Sequence, residues 1–457
     1  MQNKYLQERM LFMSNFTKYV EKHRELILDS LDYIWKNPET GYKEWKTHKY
    51  MKDIFEELGY EVIEAGNIPG FTAEIDTGKE GPTVAVFGEL DALICATHPE
   101  ADKETHAVHS CGHCAQAAAL IGLAAALKED GALDGMCGKI RLVAVPAEEL
   151  IEVEYRKSLR KQGIIKYFGG KPEFMWRGLL GGVDMAFMVH TSNEAEPTLS
   201  IGKGSNGCIA KTINFRGVSA HAGGAPQNGI NALYAANLAL NAANALRETF
   251  VDHEHIRFHP IITHGGDAVN AIPDTVTMES YVRGATMEEI LRVNKKINRA
   301  FAASAAAMGA NVHICDVPGY WPRIYPEDFI AAFEEAAKQV LDNVKITKTW
   351  STGCSDMGDV GAVMPTIHPK ASGAVGEDHG NAYYITDGDT ACVKSAEAQL
   401  LLLSVLLKDN AKRAKEIIAN YKPVFASMQE YFDFVDNVNL DQETVAYKDQ
   451  NTAILKY

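Results

Sequence analysis

A strand–helix alternation broken by a self-contained block is the feature that most constrains this chain. Up to residue 204, short apolar runs read as buried strands (TVAVF at 83–87, KIRLVAV at 139–145, and 185–189), and helical periodicity covers 5–36, 46–58 and 115–127. From residue 205 the order changes to strand 208–215, helix 230–247, strands 257–263 and 275–283, helix 287–308 and strand 311–317. That βαββαβ order over roughly 110 residues is the order of a ferredoxin-like sandwich. Helices at 327–341 and 395–420 then resume the first pattern. The spacing predicts an α/β fold with a mostly parallel sheet, split by an inserted α+β module. Its boundaries fall at 1–204, 205–318 and 319–457.

Composition narrows the function. The 457 residues carry 45 Lys+Arg against 60 Asp+Glu, a net charge of −15. An acidic surface is a poor partner for duplex nucleic acid, whose binding needs a basic face. The first residues lack a charged segment followed by an unbroken apolar one, so no signal peptide is expected, and no uncharged apolar run of ~18 residues is long enough to span a membrane. The eight cysteines show no disulfide-framework spacing. They read as reduced thiols or metal ligands in a cytoplasmic protein, which makes the Asn15-Phe16-Thr17 glycosylation match irrelevant.

Several residues carry candidate chemistry. His109-Ser110-Cys111-Gly112-His113-Cys114 is the densest ligand cluster, since imidazole and thiolate both bind transition metals. A Cys-rich loop of reduced thiols is its plain alternative. Glu148 and Glu149 directly follow the 139–145 strand, where α/β folds place their sites. Adjacent residues in extended backbone point apart, so one carboxylate can bind a metal while the other meets a water. His190 ends the strand run beginning at 185, and His379 lies in a Gly-rich loop. His221, in VSAHAGG, belongs to the inserted module. Gly202-Lys-Gly-Ser-Asn-Gly207 fits a dinucleotide fingerprint by spelling only, because a strand pattern follows it instead of a helix.

Taken in order, GELDAL, HSCGHC, PAEE, MVH, SAHAG, GGDAVNAIPD, YVRG, SDMGDV and GEDHG resemble the M20 family of metallo-amidohydrolases and peptidases. They look most like its aminoacylase and aminobenzoyl-glutamate hydrolase branch. Pro38, Glu39, Gly41 and Glu44 resemble that branch as well. The resemblance implies a two-metal catalytic domain with an inserted lid that forms a homodimer. It implies Cys111, His113, Glu149, His190 and His379 as ligands of two divalent ions, Zn or Mn, and Glu148 as general base. His221 is implied as a catalytic residue that reaches the partner's site, with Asn270 and Arg283 binding a substrate carboxylate. The expected reaction is hydrolysis of an N-acyl or aminobenzoyl amino acid. A dipeptidase on the same site, or a non-catalytic binding protein on the same fold, are the alternatives. Retention of every ligand type and of Glu148 argues against the last.

Two departures stand out. Cys114 replaces the Asp or Asn usual in the branch, which either alters the surroundings of Cys111 and His113 or adds a competing thiol. The segment 151–180, with Tyr155, Arg156, Lys157, Arg160 and Trp176, is longer than the usual Gly-rich link. It either lines the pocket or is a solvated helical excursion.

Overall fold

The computed structural model describes residues 16–449 and 451–457. The part of the 5–36 helix before Phe16 lies outside them. The chain divides into two compact units: one runs to Gly204 and takes in Ile324–Thr349 and Asp359–Met428, and the other comprises Ser205–Arg323, Trp350–Gly358 and Gln429–Tyr457. The sequence pattern places all of 319–457 with the first unit. In the structure two pieces of it, 350–358 and 429–457, cluster with the second.

The first unit is built on a six-stranded sheet in the order Val62–Glu64, Phe71–Asp76, Lys139–Val145, Thr83–Glu89, Met185–Phe187, Thr366–Ile367. The last four strands are mutually parallel, and the first two add an antiparallel edge. The sheet is therefore mixed, with a parallel core. Thr83–Glu89 is buried at every position, as expected of a strand covered on both faces. It pairs in register with Lys139–Val145, so that Glu89 lies opposite Val145. The chain segments that leave these two ends therefore emerge side by side.

The helix His113–Leu127 is apolar around its whole circumference and buried throughout, the mark of a helix enclosed by protein. Its alanines allow close approach to the sheet; a Cβ on Gly88 would come within 3.0 Å of Leu120. The helical stretch Asp389–Asn420 is long and apolar enough to cross a membrane by length and composition, but 89% of its most apolar window is buried inside the protein. It is a core helix, and its helical geometry breaks at Lys408–Ala411.

The second unit holds an antiparallel sheet in the order Arg257–Phe258, Thr275–Gly284, Gly207–Arg216, Asn311–Pro318, Leu440–Glu443, with Ile261–His264 also paired to Thr275–Gly284. Thr275–Gly284 alternates buried and half-exposed residues, as a strand with one covered face should. The helices Ala232–Ala245 and Met287–Ala307 supply the apolar cover. A capping box, Thr286 with Glu289, starts the second of them. Leu440–Glu443 adds a strand that the sequence pattern does not contain.

Candidate metal centre

The site forms where the parallel strands end. Asp91 follows the Thr83–Glu89 strand, Glu148 and Glu149 follow Lys139–Val145, and His190 lies three residues beyond Met185–Phe187. The C-terminal edge of a parallel sheet is where crossover loops leave room for a ligand. Cys111 precedes the His113–Leu127 helix, and His113 is its first residue. The turn between them needs Gly112: its φ is +84°, and a Cβ there would meet Thr191 Oγ1 at 2.2 Å and the Tyr383 hydroxyl at 2.3 Å.

All five residues expected as metal ligands come together. Ligand atoms of Cys111, His113 and His190 lie within 4.8 Å of one another, as do those of Cys111, Glu149 and His379. Cys111 is common to both groups. Its Sγ is 3.5 Å from His190 Nε2, and His379 Nε2 is 3.2 Å from Glu149 Oε1. A third group joins Glu89, His113 and Glu148, with Glu148 Oε2 3.9 Å from His113 Nε2.

Asp91, which no sequence pattern singles out, organises the cluster. It is fully buried. Its Oδ1 is 3.1 Å from His113 Nδ1, and its Oδ2 accepts a 2.8 Å hydrogen bond from the Glu149 backbone N–H. A carboxylate on one imidazole nitrogen fixes the tautomer and leaves the other nitrogen's lone pair free for a cation. His190 Nδ1 is 2.9 Å from the Thr191 carbonyl, which orients that ring in the same way. Glu89 likewise escapes sequence reasoning; it accepts from buried Lys171 and from Gln116 Nε2 at 2.9 Å, and lies 3.2 Å from His113 Nε2. Neither acid has a periodicity signal. Both are visible in the sequence only as letters of the GELDAL stretch.

The residues fit divalent cations. His113 Nε2 and Glu149 Oε1 are buried and make no well-formed hydrogen bond; each faces an ionisable group of the same cluster at 3.2 Å, Glu89 and His379 respectively. Glu89, Asp91, Glu148 and Glu149 are all buried, with Lys171 on Glu89 and the His113 and His379 imidazoles beside the acids. A divalent cation would replace the imidazolium protons in balancing these carboxylates. A thiolate, imidazole and carboxylate set is the donor chemistry of zinc and its neighbours. The same field acts on the histidines: Glu149 pushes the His379 imidazole up to about 12. Burial would raise Glu149, yet His379 and then His113 hold it far below the usual carboxylate range.

The other two members of the HSCGHC cluster lie outside these ligand groups. Burial pushes the His109 imidazole down to about 3, with His113 adding to the effect. Cys114 is fully buried in the apolar core, and burial pushes its thiol up to about 12. The three residues expected to meet substrate belong to the second unit. The exposed His221 accepts from the Gly223 and Gly224 backbone N–H groups through Nδ1, at 3.1 and 2.9 Å. Asn270 sits on the adjoining turn, its carbonyl accepting from Ala222 N at 2.9 Å. Arg283 lies on Thr275–Gly284, with its guanidinium carbon 5.2 Å from the Tyr281 ring centroid.

Comparison with known proteins agrees with this geometry. Residues 203–308 match the M20 peptidase dimerisation domain. Over 411 residues the chain is 29% identical to the Xaa-Arg dipeptidase of Mus musculus, covering 85% of this chain and 84% of that one. Over 291 residues it is 28% identical to the N-acetyl-L-cysteine deacetylase of Bacillus subtilis, covering 60% of this chain and 64% of that one. A dinuclear metal-binding M20 peptidase from Bacillus subtilis shares the fold, with a TM-score of 0.60 and 22% identity over 85% of this chain and 99% of that one. The chain thus carries an M20 dimerisation domain and is similar, over most of its length, to M20 metallo-peptidase and amidohydrolase enzymes.

Proposed function

We propose that the protein hydrolyses the amide bond of an N-acyl or aminobenzoyl amino acid. The observation that carries this reading is the pair of ligand groups sharing Cys111, with the Glu148 carboxylate beside His113. Cys111, His113 and His190 would hold one divalent ion, and Cys111, Glu149 and His379 a second, with Zn or Mn suited to both. Such ions polarise a carbonyl oxygen and acidify a water. Glu148 would take the proton of the attacking water and return it to the leaving nitrogen. His221 would donate to the oxyanion. Asn270 and Arg283 would hold a free carboxylate of the substrate, for which the planar guanidinium is the matching partner.

The second unit would act as a ferredoxin-like lid and homodimer interface, with His221 serving the partner's site. Its strand order and the dimerisation-domain match support this. So do the exposed apolar residues Ile261 and Ile262 on a short strand and Tyr234 and Leu238 on the Ala232–Ala245 helix. Cleavage of a dipeptide is the second reading, favoured by the longer match to the Xaa-Arg dipeptidase. A cytoplasmic location agrees with eight free cysteines.

The test is an amide-hydrolysis panel on Zn- or Mn-loaded protein, using N-acyl amino acids, aminobenzoyl-glutamate and dipeptides. Each is offered as free acid and as amide. Cleavage of N-acyl free acids, with Glu148→Gln retaining metal but losing ~10²-fold or more in turnover, is the expected result. Cleavage confined to dipeptides favours the second reading. Near-normal turnover in Glu148→Gln removes that residue from the mechanism.

A further inference from the structure

The segment after the Glu148–Glu149 pair is more than a solvated excursion. It forms two helices, Val153–Lys161 and Gly170–Trp176. Each sends a cation into the protein: Arg156 is 1% exposed and Lys171 fully buried. Lys171 pairs with Glu89, which in turn faces His113 Nε2. Arg156 turns to the backbone that carries the acid pair. Its Nη1 donates to the Phe168 carbonyl at 2.7 Å and to the Ala147 carbonyl at 3.4 Å, and its Nη2 donates to the Glu149 carbonyl. The carbonyls on either side of Glu148 thus share one rigid fork.

That backbone needs holding. Ala147 has φ +58° and Glu152 φ +52°, left-handed conformations that are costly for residues with a Cβ. The turn is gripped at both ends: Glu44 Oε1 accepts from Ala147 N at 2.7 Å, while Glu152 accepts from Thr40 and Lys43. Gly41 completes the arrangement, since a Cβ there would lie 2.4 Å from Arg156 Nη2. The glycine leaves room for the guanidinium.

We propose that Arg156 is a positioning residue for the reaction, fixing the strained 147–152 turn so that Glu148 and Glu149 keep their separate aims. This rests on the reading of Glu148 as base and Glu149 as metal ligand. Lysine carries the charge but cannot bridge three carbonyls with a planar fork.

The test compares wild type, Arg156→Lys, Gly41→Ala and Glu148→Gln. Gly41→Ala removes no hydrogen-bonding group; its methyl presses on the guanidinium and, less closely, on Ala147. For each variant, Zn²⁺ affinity is measured by chelator competition, kcat and KM on the best substrate of the panel, and the folded fraction by thermal melting. Loss of an orienting partner typically weakens metal binding or activity by ~10–100-fold. Both Arg156→Lys and Gly41→Ala should fall in that range in Zn²⁺ affinity and kcat of the folded fraction, with KM held. A purely structural Arg156 would lower the melting temperature and leave the Zn²⁺ affinity and kcat of folded protein at wild-type values, which overturns the proposal. If Arg156→Lys does not fold, Gly41→Ala decides. If Glu148→Gln stays active, the underlying reading of the acid pair fails. If it is inactive while the other two variants match wild type, only the positioning role fails.

Discussion

Asp91→Asn isolates the group that ties the two halves of the metal centre together. Asp91 accepts on both oxygens, from the His113 ring and from the Glu149 backbone N–H. Asparagine keeps the shape but exchanges one acceptor for a donor. If its oxygen stays on His113, its NH₂ faces the Glu149 N–H and leaves that buried donor unmatched, at about 1–3 kcal/mol. If the amide flips, its NH₂ faces the His113 Nδ1–H, which keeps only the Asp91 main-chain carbonyl at 2.9 Å as acceptor. Either outcome disturbs a ligand of one group, Glu149 in the first case and His113 in the second, and such losses cost ~10–100-fold in metal affinity. At saturating zinc that removes about 1.4–2.7 kcal/mol of metal-linked stability. Chelator competition with Zn²⁺ and urea unfolding of the apo and zinc-loaded forms read the two quantities separately. An Asp91→Asn protein with wild-type zinc affinity and the wild-type gap between apo and loaded stability would refute this role.

Three further outcomes follow from other parts of the molecule. In the second unit, buried Lys211 donates to Asp316, to Asn294 at 2.8 Å and to Asn298 at 2.5 Å. Lys211→Met should destabilise the protein by ~3–5 kcal/mol in urea, because it strands a buried carboxylate, while Lys211→Met with Asp316→Leu should recover much of the loss. Burial would raise the Glu74 carboxyl, but Lys139 and Arg141 hold it below its usual value. Its folded pKa is depressed, so its contribution is present above the unfolded carboxylate pKa and is lost as pH falls through the folded one. Glu74→Gln should therefore destabilise at neutral pH and converge with wild type in acid denaturation. Arg283→Ala should cost ~2–5 kcal/mol in kcat/KM and abolish discrimination between free-acid and amidated substrates. Wild type cleaving both equally would remove the carboxylate role of Arg283.

The legible parts of the chain are those where one physical signal dominates. Lys139–Val145 is an apolar run rich in β-branched residues, broken only by Lys139 and Arg141, and the structure starts and ends that strand where the pattern does. The five candidate ligands were legible through the joint order of HSCGHC, PAEE, MVH and GEDHG, which resembles an M20 ligand set; taken singly, each of those residues also had a purely structural reading. The segment 151–180 was opaque for the opposite reason: its helices enter the interior through Arg156 and Lys171, and apolar periodicity does not register buried charge. Asp91 sits two residues past a strand end, where a carboxylate usually meets solvent. Its role follows from the register that sets Glu89 opposite Val145. The final strands escaped notice because Leu440–Glu443 is short and mostly polar, and it pairs with Asn311–Pro318, more than a hundred residues away in sequence.

The central claim is a two-metal site in which one thiolate belongs to both ion positions. Its most direct test is the zinc stoichiometry of protein reconstituted without oxygen and freed of loose metal, for wild type and Cys111→Ala. Because Cys111 is common to both ligand groups, wild type should retain two tightly bound zinc ions per chain and Cys111→Ala should lose tight binding at both positions. A wild-type protein that retains no zinc, or a Cys111→Ala protein that still holds two, would contradict the account.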